Sequence, residues 1–161
     1  MTLEELRKEV PELENYLKYM PKELEQRYWI KTYAPGVIIH QKDYELEYFG
    51  IIARGEHRVI NEFQNGNVFM IEKNEPIDFV GEVTILAGMP KTSVTIETLT
   101  ETTVFYISRK DCEGYPLPAS GGSQDRLQAL PFLLQPRRKA LLSTAVYFAG
   151  LCPACGCHGE G

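Results

Sequence analysis

The sequence predicts a mainly β fold, an antiparallel jelly roll (double-stranded β-helix) with flanking short helices, and three observations predict it. Between residues 28 and 108 apolar and polar side chains alternate with a period of two in seven short runs, the spacing of half-buried strands. Turn-forming pairs punctuate those runs. Ahead of them, residues 1–20 carry their apolar side chains at helical spacing instead.

In chain order, Thr2 with Glu5 three residues later forms a capping-box pattern, and Leu3, Leu6 and Val10 recur as the stripe of a short amphipathic helix. Pro11 opens a second helix with the stripe Leu13, Tyr16, Leu17 and Met20, ended by Pro21. Both are expected to pack on the roll that follows. Its strands read as Tyr28–Thr32, Val37–Gln41, Tyr48–Ala53, His57–Phe63, Val68–Glu72, Ser93–Leu99 and Thr103–Ser108. Pro35-Gly36 suits a tight turn, Arg54-Gly55-Glu56 a hairpin tip, and Asn65-Gly66 a two-residue hairpin.

A chain of 161 residues accommodates one domain with a core and a small appendage. With 43% hydrophobic and 24% charged residues it has the composition of a globular protein, and no apolar run reaches membrane-span length. The charged amino terminus lacks the apolar stretch of a secretory signal, which predicts a cytoplasmic location. Residues 1–112 hold 13 basic against 19 acidic side chains, leaving −6, and the rest of the chain comes to +1. That balance excludes a polyanion-binding surface on the roll.

Residues 78–95 have the composition of an anion-binding device. Gly81 lets the backbone approach a ligand, and residues 82–87 have the length of a helical turn closed by Gly88. The first N–H groups of such a turn and its dipole favour a phosphate or carboxylate beside Gly81, Glu82 and Val83. Lys91 adds a positive charge, and Thr92 and Ser93 add hydroxyl donors.

Phe-Val-Gly-Glu-Val-Thr-Ile-Leu-Ala-Gly-Met-Pro-Lys-Thr-Ser-Val at 79–94 resembles the phosphate-binding cassette of cyclic-nucleotide-binding domains of the Crp/Fnr transcription regulator type. Ala-Pro-Gly-Val-Ile-Ile-His-Gln-Lys-Asp at 34–43 is similar to the entry motif of that roll, and Ile51 to Glu56 to its central hairpin, so the resemblance covers about residues 21–111. It implies a jelly roll flanked by helices, with Glu82 on a ribose hydroxyl. Lys91 stands where the family places an Arg on the cyclic phosphate. Arg meets phosphate with two parallel bonds, whereas Lys is a hydrated point charge, so cyclic AMP is expected to bind weakly or not at all. The resemblance further implies a small anionic effector, a cyclic nucleotide or similar, as partner, and a homodimer. It implies DNA binding only through a helix-turn-helix domain that is not recognisable in this chain.

The expected organisation is therefore amino-terminal helices over 1–27, the roll over 28–111 and an atypical tail over 112–161. That tail holds 12 of the chain's 23 Gly and Pro residues, and it reads as truncated, shifted in frame or diverged, partly helical or disordered. Short helices are expected over Gln124–Leu130 and Arg137–Ala149. Arg137-Arg138-Lys139 leads into the apolar run 140–149, a poor DNA reader, so the chain as given is not expected to read DNA.

Other constellations weigh less. Cys152, Cys155, Cys157 and His158 crowd four donors into seven residues, too close to surround one tetrahedral ion, with Cys112 far away in sequence; an oxidisable tail is the simpler reading. His40 and His57 lack the paired spacing of a metal-holding roll and read as surface or rim residues. No Gly-x-Ser-x-Gly elbow or Walker loop occurs. The sequence thus reads as an effector-sensing, non-enzymatic domain with no metal and no bound cofactor beyond that effector. A jelly-roll scaffold or interaction module with a degenerate site is the alternative, and a cupin-like metalloenzyme a more distant one.

Overall fold

The structure, a computed structural model, describes residues 1–114 apart from positions 19, 21, 23 and 64. The expected tail helices, the cysteine cluster and the basic run at 137–139 lie outside the described residues.

Among the described residues, eight strands form two antiparallel four-stranded sheets. They are β1 (Tyr28–Tyr33), β2 (Ile38–His40), β3 (Tyr48–Arg54), β4 (His57–Glu62), β5 (Val68–Asn74), β6 (Asp78–Val80), β7 (Thr95–Thr98) and β8 (Thr102–Ser108). One sheet has the order β1-β8-β3-β6 and the other β2-β7-β4-β5. The mainly β, jelly-roll expectation holds.

Three details differ from the sequence reading. Residues 78–80, taken as the start of the cassette, pair with β3 and are buried throughout, so no alternation marks them as a strand. Arg54-Gly55-Glu56 is not a hairpin tip: β3 pairs with β6 and β8 while β4 pairs with β5 and β7, and the turn is a corner between sheets. Gly55 takes φ 89 there, and a Cβ would lie 2.3 Å from the Glu101 carbonyl oxygen. The Asn65-Gly66 hairpin does join β4 to β5, but Phe63 N–H donates to the Asn67 carbonyl at 2.9 Å and leaves three residues in the loop. Gly66 supplies the left-handed position that such a loop needs.

Two cores hold the sheets. On the outer side of the first sheet, Phe49, Ile51, Phe79, Phe105 and Ile107 pack against the amino-terminal segment. That segment is α1 (Leu3–Glu9), a 3-10 turn Pro11–Leu13 and α2 (Glu14–Leu17), so the second expected helix begins as a tighter turn. The capping box forms, with Glu5 N–H donating to Thr2 Oγ1 and Thr2 N–H to Glu5 Oε2 at 2.7 Å. Leu6, Leu13 and Leu17 are buried, and Arg54 bridges Glu9 of α1 and Glu101 of the roll. Between the sheets a second core gathers Ile52, Val80, Ile96, Val104 and Tyr106. After β8 the chain enters α4 (Arg109–Gly114), whose Cys112 is buried with the outer core.

β5 is an edge strand, and Val68, Phe69, Met70 and Ile71 on it are all exposed. No described helix is long and apolar enough to cross a membrane.

Leu6 is completely buried between α1 and the roll. Leu6→Ala should cost about 2–5 kcal/mol in urea unfolding; a loss below about 0.5 kcal/mol, within the range of ordinary surface changes, would mean that the amino-terminal segment is not part of the cooperative unit.

Candidate functional site

The cassette residues sit between the sixth and seventh strands, and the backbone is built to hold them. β6 ends at Gly81, which takes φ 88 and caps α3 (Glu82–Leu86). A Cβ on Gly81 would lie 2.6 Å from Leu46 Cδ2 and 3.0 Å from the Tyr48 carbonyl oxygen, so glycine is required by conformation and by space. Thr84 and Ile85 bury the inner side of the helix. Gly88 closes it at φ 66, and Met89 N–H folds back to donate to the Thr84 carbonyl at 3.0 Å. The expected 82–87 turn is thus present, with Ala87 as its cap.

Beyond Pro90 the chain runs antiparallel to residues 43–46. Leu46 N–H donates to the Pro90 carbonyl at 3.0 Å, Thr92 N–H to Tyr44 at 3.3 Å, and Asp43 N–H to Thr92 at 2.9 Å. This short ladder makes Lys91 and Glu45 direct bridge partners. Lys91 and Ser93 are exposed, and Lys91 makes no ion pair among the described residues. Thr92 is buried, and its hydroxyl lies 3.4 Å from both the N–H and the carbonyl of Val94. The hydroxyl expected to face a ligand is therefore turned into its own loop. Gly81, Glu82 and Val83 are half-buried.

Arg109, which sequence reasoning passed over, ties this loop to α4. Its Nη1 donates to the carbonyls of Met89 at 2.7 Å and Leu46 at 3.5 Å, while its backbone N–H donates to Glu47 at 2.7 Å. Asp111, two residues on, accepts from Ser108 and pairs with Arg27 at 2.8 Å, and these bonds hold its carboxyl below the usual range. Only the length of the contact separations, 63 residues to Leu46 and 20 to Met89, hid the link.

The two histidines correct the sequence reading, which placed them at the surface or rim. His57 is fully buried, with Nε2 3.0 Å from Asp78 Oδ2, which also accepts from Asn74 at 2.7 Å. His40 is buried with Nδ1 2.9 Å from the Tyr48 hydroxyl, which in turn donates to the Ile39 carbonyl at 2.8 Å. Each has a polar partner that a strand pattern cannot reveal. Burial raises the pKa of Tyr48 and Tyr106, so both hydroxyls stay protonated; Tyr106 shares a 2.9 Å bond with Tyr33. No group of three or more His, Cys, Asp or Glu side chains converges among the described residues. A cavity of about 430 Å³ lies between the amino-terminal segment and the 76–77 turn, lined by Val10, Glu12, Tyr16, Ala53, Pro76 and Ile77. No cassette residue lines it, and its one carboxylate offers little to an anion.

Two antiparallel sheets closed into a roll, with one short glycine-started helix set between the sixth and seventh strands, define a β-roll. The family model for the cyclic nucleotide-binding domain matches residues 30–115, more than half the chain, and the chain belongs to that family. No curated protein sequence matches it significantly. Among solved structures, the catabolite activator protein of Thermus thermophilus is similar over 85% of this chain and 60% of its own, at 16% identity and a TM-score of 0.57. The sensor domain of the transcriptional regulator DNR from Pseudomonas aeruginosa is similar over 92% of this chain and 94% of its own, at 14% identity and a TM-score of 0.61. The regulatory subunit of a cAMP-independent protein kinase A from Trypanosoma brucei, a triply substituted form bound to cAMP in its A site, is similar over 92% of this chain and 52% of its own, at 19% identity and a TM-score of 0.60. At these identities the likeness is one of fold. The chain spans only part of the length of the first and third.

Two outcomes test the site's construction. Gly81→Ala should lower stability by about 1–3 kcal/mol, from the left-handed backbone alone and more if Leu46 cannot yield; an unchanged melting temperature would show that the β6–α3 junction is not tight. His40 tests the interior. Burial lowers its pKa from the ordinary 6.5, so the unfolded chain takes up its proton first as pH falls. The stability it contributes is full above 6.5 and is lost as pH falls through the folded value. The melting temperature should therefore fall on acidification below 6.5 more steeply in the wild type than in His40→Asn, and parallel profiles would refute that assignment.

Proposed function

We propose that the chain is the effector-sensing domain of a Crp/Fnr-like transcriptional regulator, cytoplasmic and homodimeric, which binds a small anionic ligand at residues 81–93. The observation that carries this reading is the glycine-capped helical turn returning through Lys91 to the 43–46 segment, within a chain that belongs to the cyclic nucleotide-binding family. In this reading the anion lies against the backbone at Gly81, Glu82 and Val83, Glu82 accepts a hydroxyl hydrogen from the ligand, and Lys91 with Ser93 closes over it. Thr92 shapes the loop, because its hydroxyl is engaged with Val94. Arg109 is the connection to the rest of the regulator: a ligand that moves the 88–91 turn shifts the carbonyl that the guanidinium holds, and α4 with it. Any DNA reading belongs to a helix-turn-helix domain not recognisable in this sequence.

The scaffold reading draws on Lys91, a point charge where the resemblance implies Arg. In the Trypanosoma brucei kinase, described as cAMP-independent, one of the three substitutions in the cAMP-bound form places an arginine where a threonine stood.

A thermal-shift screen with nucleotides and small carboxylates decides between them. At least one small anion should raise the melting temperature; if none does, the scaffold reading replaces this one. Cyclic AMP itself should bind weaker than micromolar in titration calorimetry, since losing one forked phosphate partner costs about 1.5–3 kcal/mol, one to two powers of ten in affinity. A sub-micromolar dissociation constant would show that Lys91 serves as well as Arg.

A further inference from the structure

The register of the cassette ladder gives Lys91 a competitor. Leu46 N–H bonds to Pro90 and Thr92 N–H to Tyr44, so Glu45 and Lys91 form the bridge pair that lies between these bonds and exchanges none itself. In an antiparallel ladder this is the close kind of pair, with Cα atoms about 4.5 Å apart and side chains on the same face. The register cannot drift. Leu46, the next residue, is buried against Gly81, and its carbonyl accepts from Arg109, which also holds Met89 just before Pro90. Both Glu45 and Lys91 are exposed and neither makes an ion pair with any described residue, each other included, so two uncommitted opposite charges stand on neighbouring strands of this ladder. Asp43, on the same segment, hydrogen-bonds through its backbone to Thr92 and adds a second acid nearby.

We propose that Glu45 is a specificity-determining residue of the 81–93 site, selecting singly charged anions, a cyclic phosphodiester or a carboxylate, against doubly charged phosphomonoesters. This rests on the sensor reading of the same site. An anion held by Lys91 also lies in the field of the Glu45 carboxylate on the neighbouring strand, and that repulsion, which offsets the preference of Lys91 for the more highly charged ligand, scales with the product of the charges. A phosphodiester carries one charge, whereas a phosphomonoester near neutral pH carries about 1.5 to 2. Glu45 therefore penalises the monoester almost twice as heavily in free energy, while its own attraction to Lys91 is the same for both.

Glu45→Gln removes the charge at an exposed position and leaves the ladder bonds, which are backbone, in place; an unchanged melting temperature verifies that. Isothermal titration of the full chain with cyclic AMP and with 5′-AMP at low salt reads the effect. Exposed charge pairs contribute up to about 1 kcal/mol, so the substitution should tighten cyclic AMP about 2- to 5-fold and 5′-AMP by roughly the square of that factor. At about 0.5 M NaCl both gains should shrink, as screening shortens the reach of an exposed charge. If the wild type binds and the variant binds no tighter, or both nucleotides gain by the same factor, the role of Glu45 is wrong and the sensor reading stands. If neither protein binds either nucleotide, this selectivity is refuted, and the sensor reading then depends on the wider anion screen alone.

Discussion

The close approach of Gly81 to Leu46 is the constraint on which the cassette depends. It fixes where β6 stops and α3 starts, because the left-handed turn and the missing side chain are both needed to pass beneath the Leu46 methyls and the Tyr48 carbonyl. From that fixed point the five-residue helix can only return toward the 43–46 segment, and the bonds from Leu46 to Pro90 and from Met89 to Thr84 set the length of the return. The position of Lys91 in space thus follows from a packing contact ten residues earlier in the chain.

The rest of the roll makes that fixed point rigid. β6 is anchored on one side by its register with β3 and on the other by Asp78, which holds the buried His57 ring and Asn74. The interior of this roll is not purely apolar: Tyr33, Tyr48, Tyr106, His40 and His57 share it with Ile52, Val80 and Val104. Each of these groups makes at least one hydrogen bond, while His40 Nε2 and His57 Nδ1 are buried with no partner among the described residues, and breaking an existing bond would leave a further buried group without compensation. Oriented hydrogen bonds specify one arrangement of the two sheets more narrowly than a greasy core could.

Most of the fold was legible because alternation and turn chemistry are local. The capping box at Thr2, the strands other than β6 and the helical turn after Gly81 all declare themselves within a few residues. What escaped was non-local or uniform. β6 is three buried residues with no polar alternation, and Arg54-Gly55-Glu56 carries the composition of a hairpin although its two strands belong to different sheets. The histidines looked like rim residues because their partners, Asp78 and Tyr48, lie on other strands. At the candidate site the residues of the 81–93 segment were visible as a motif, but Glu45 and Arg109 were not, since only the ladder and the fold of α4 bring them there.

That pair of late arrivals changes how the proposed site should be understood. A cassette read as a motif is a set of donors waiting for an anion; placed in the roll, it is a loop held between two charges of opposite sign with opposite effects. Arg109 donates to the Met89 and Leu46 carbonyls, a contact whose geometry follows the loop. Glu45 makes no ion pair among the described residues, and its proposed role is exerted through its field beside Lys91, its bridge partner. On the proposals made above, the residue assigned to transmission, Arg109, differs from the residue assigned to selection, Glu45, so separate substitutions test the two. On those proposals an exchange at Glu45 alters the choice of ligand while the bonds from Arg109 to Met89 and Leu46, which involve only backbone carbonyls, stay in place.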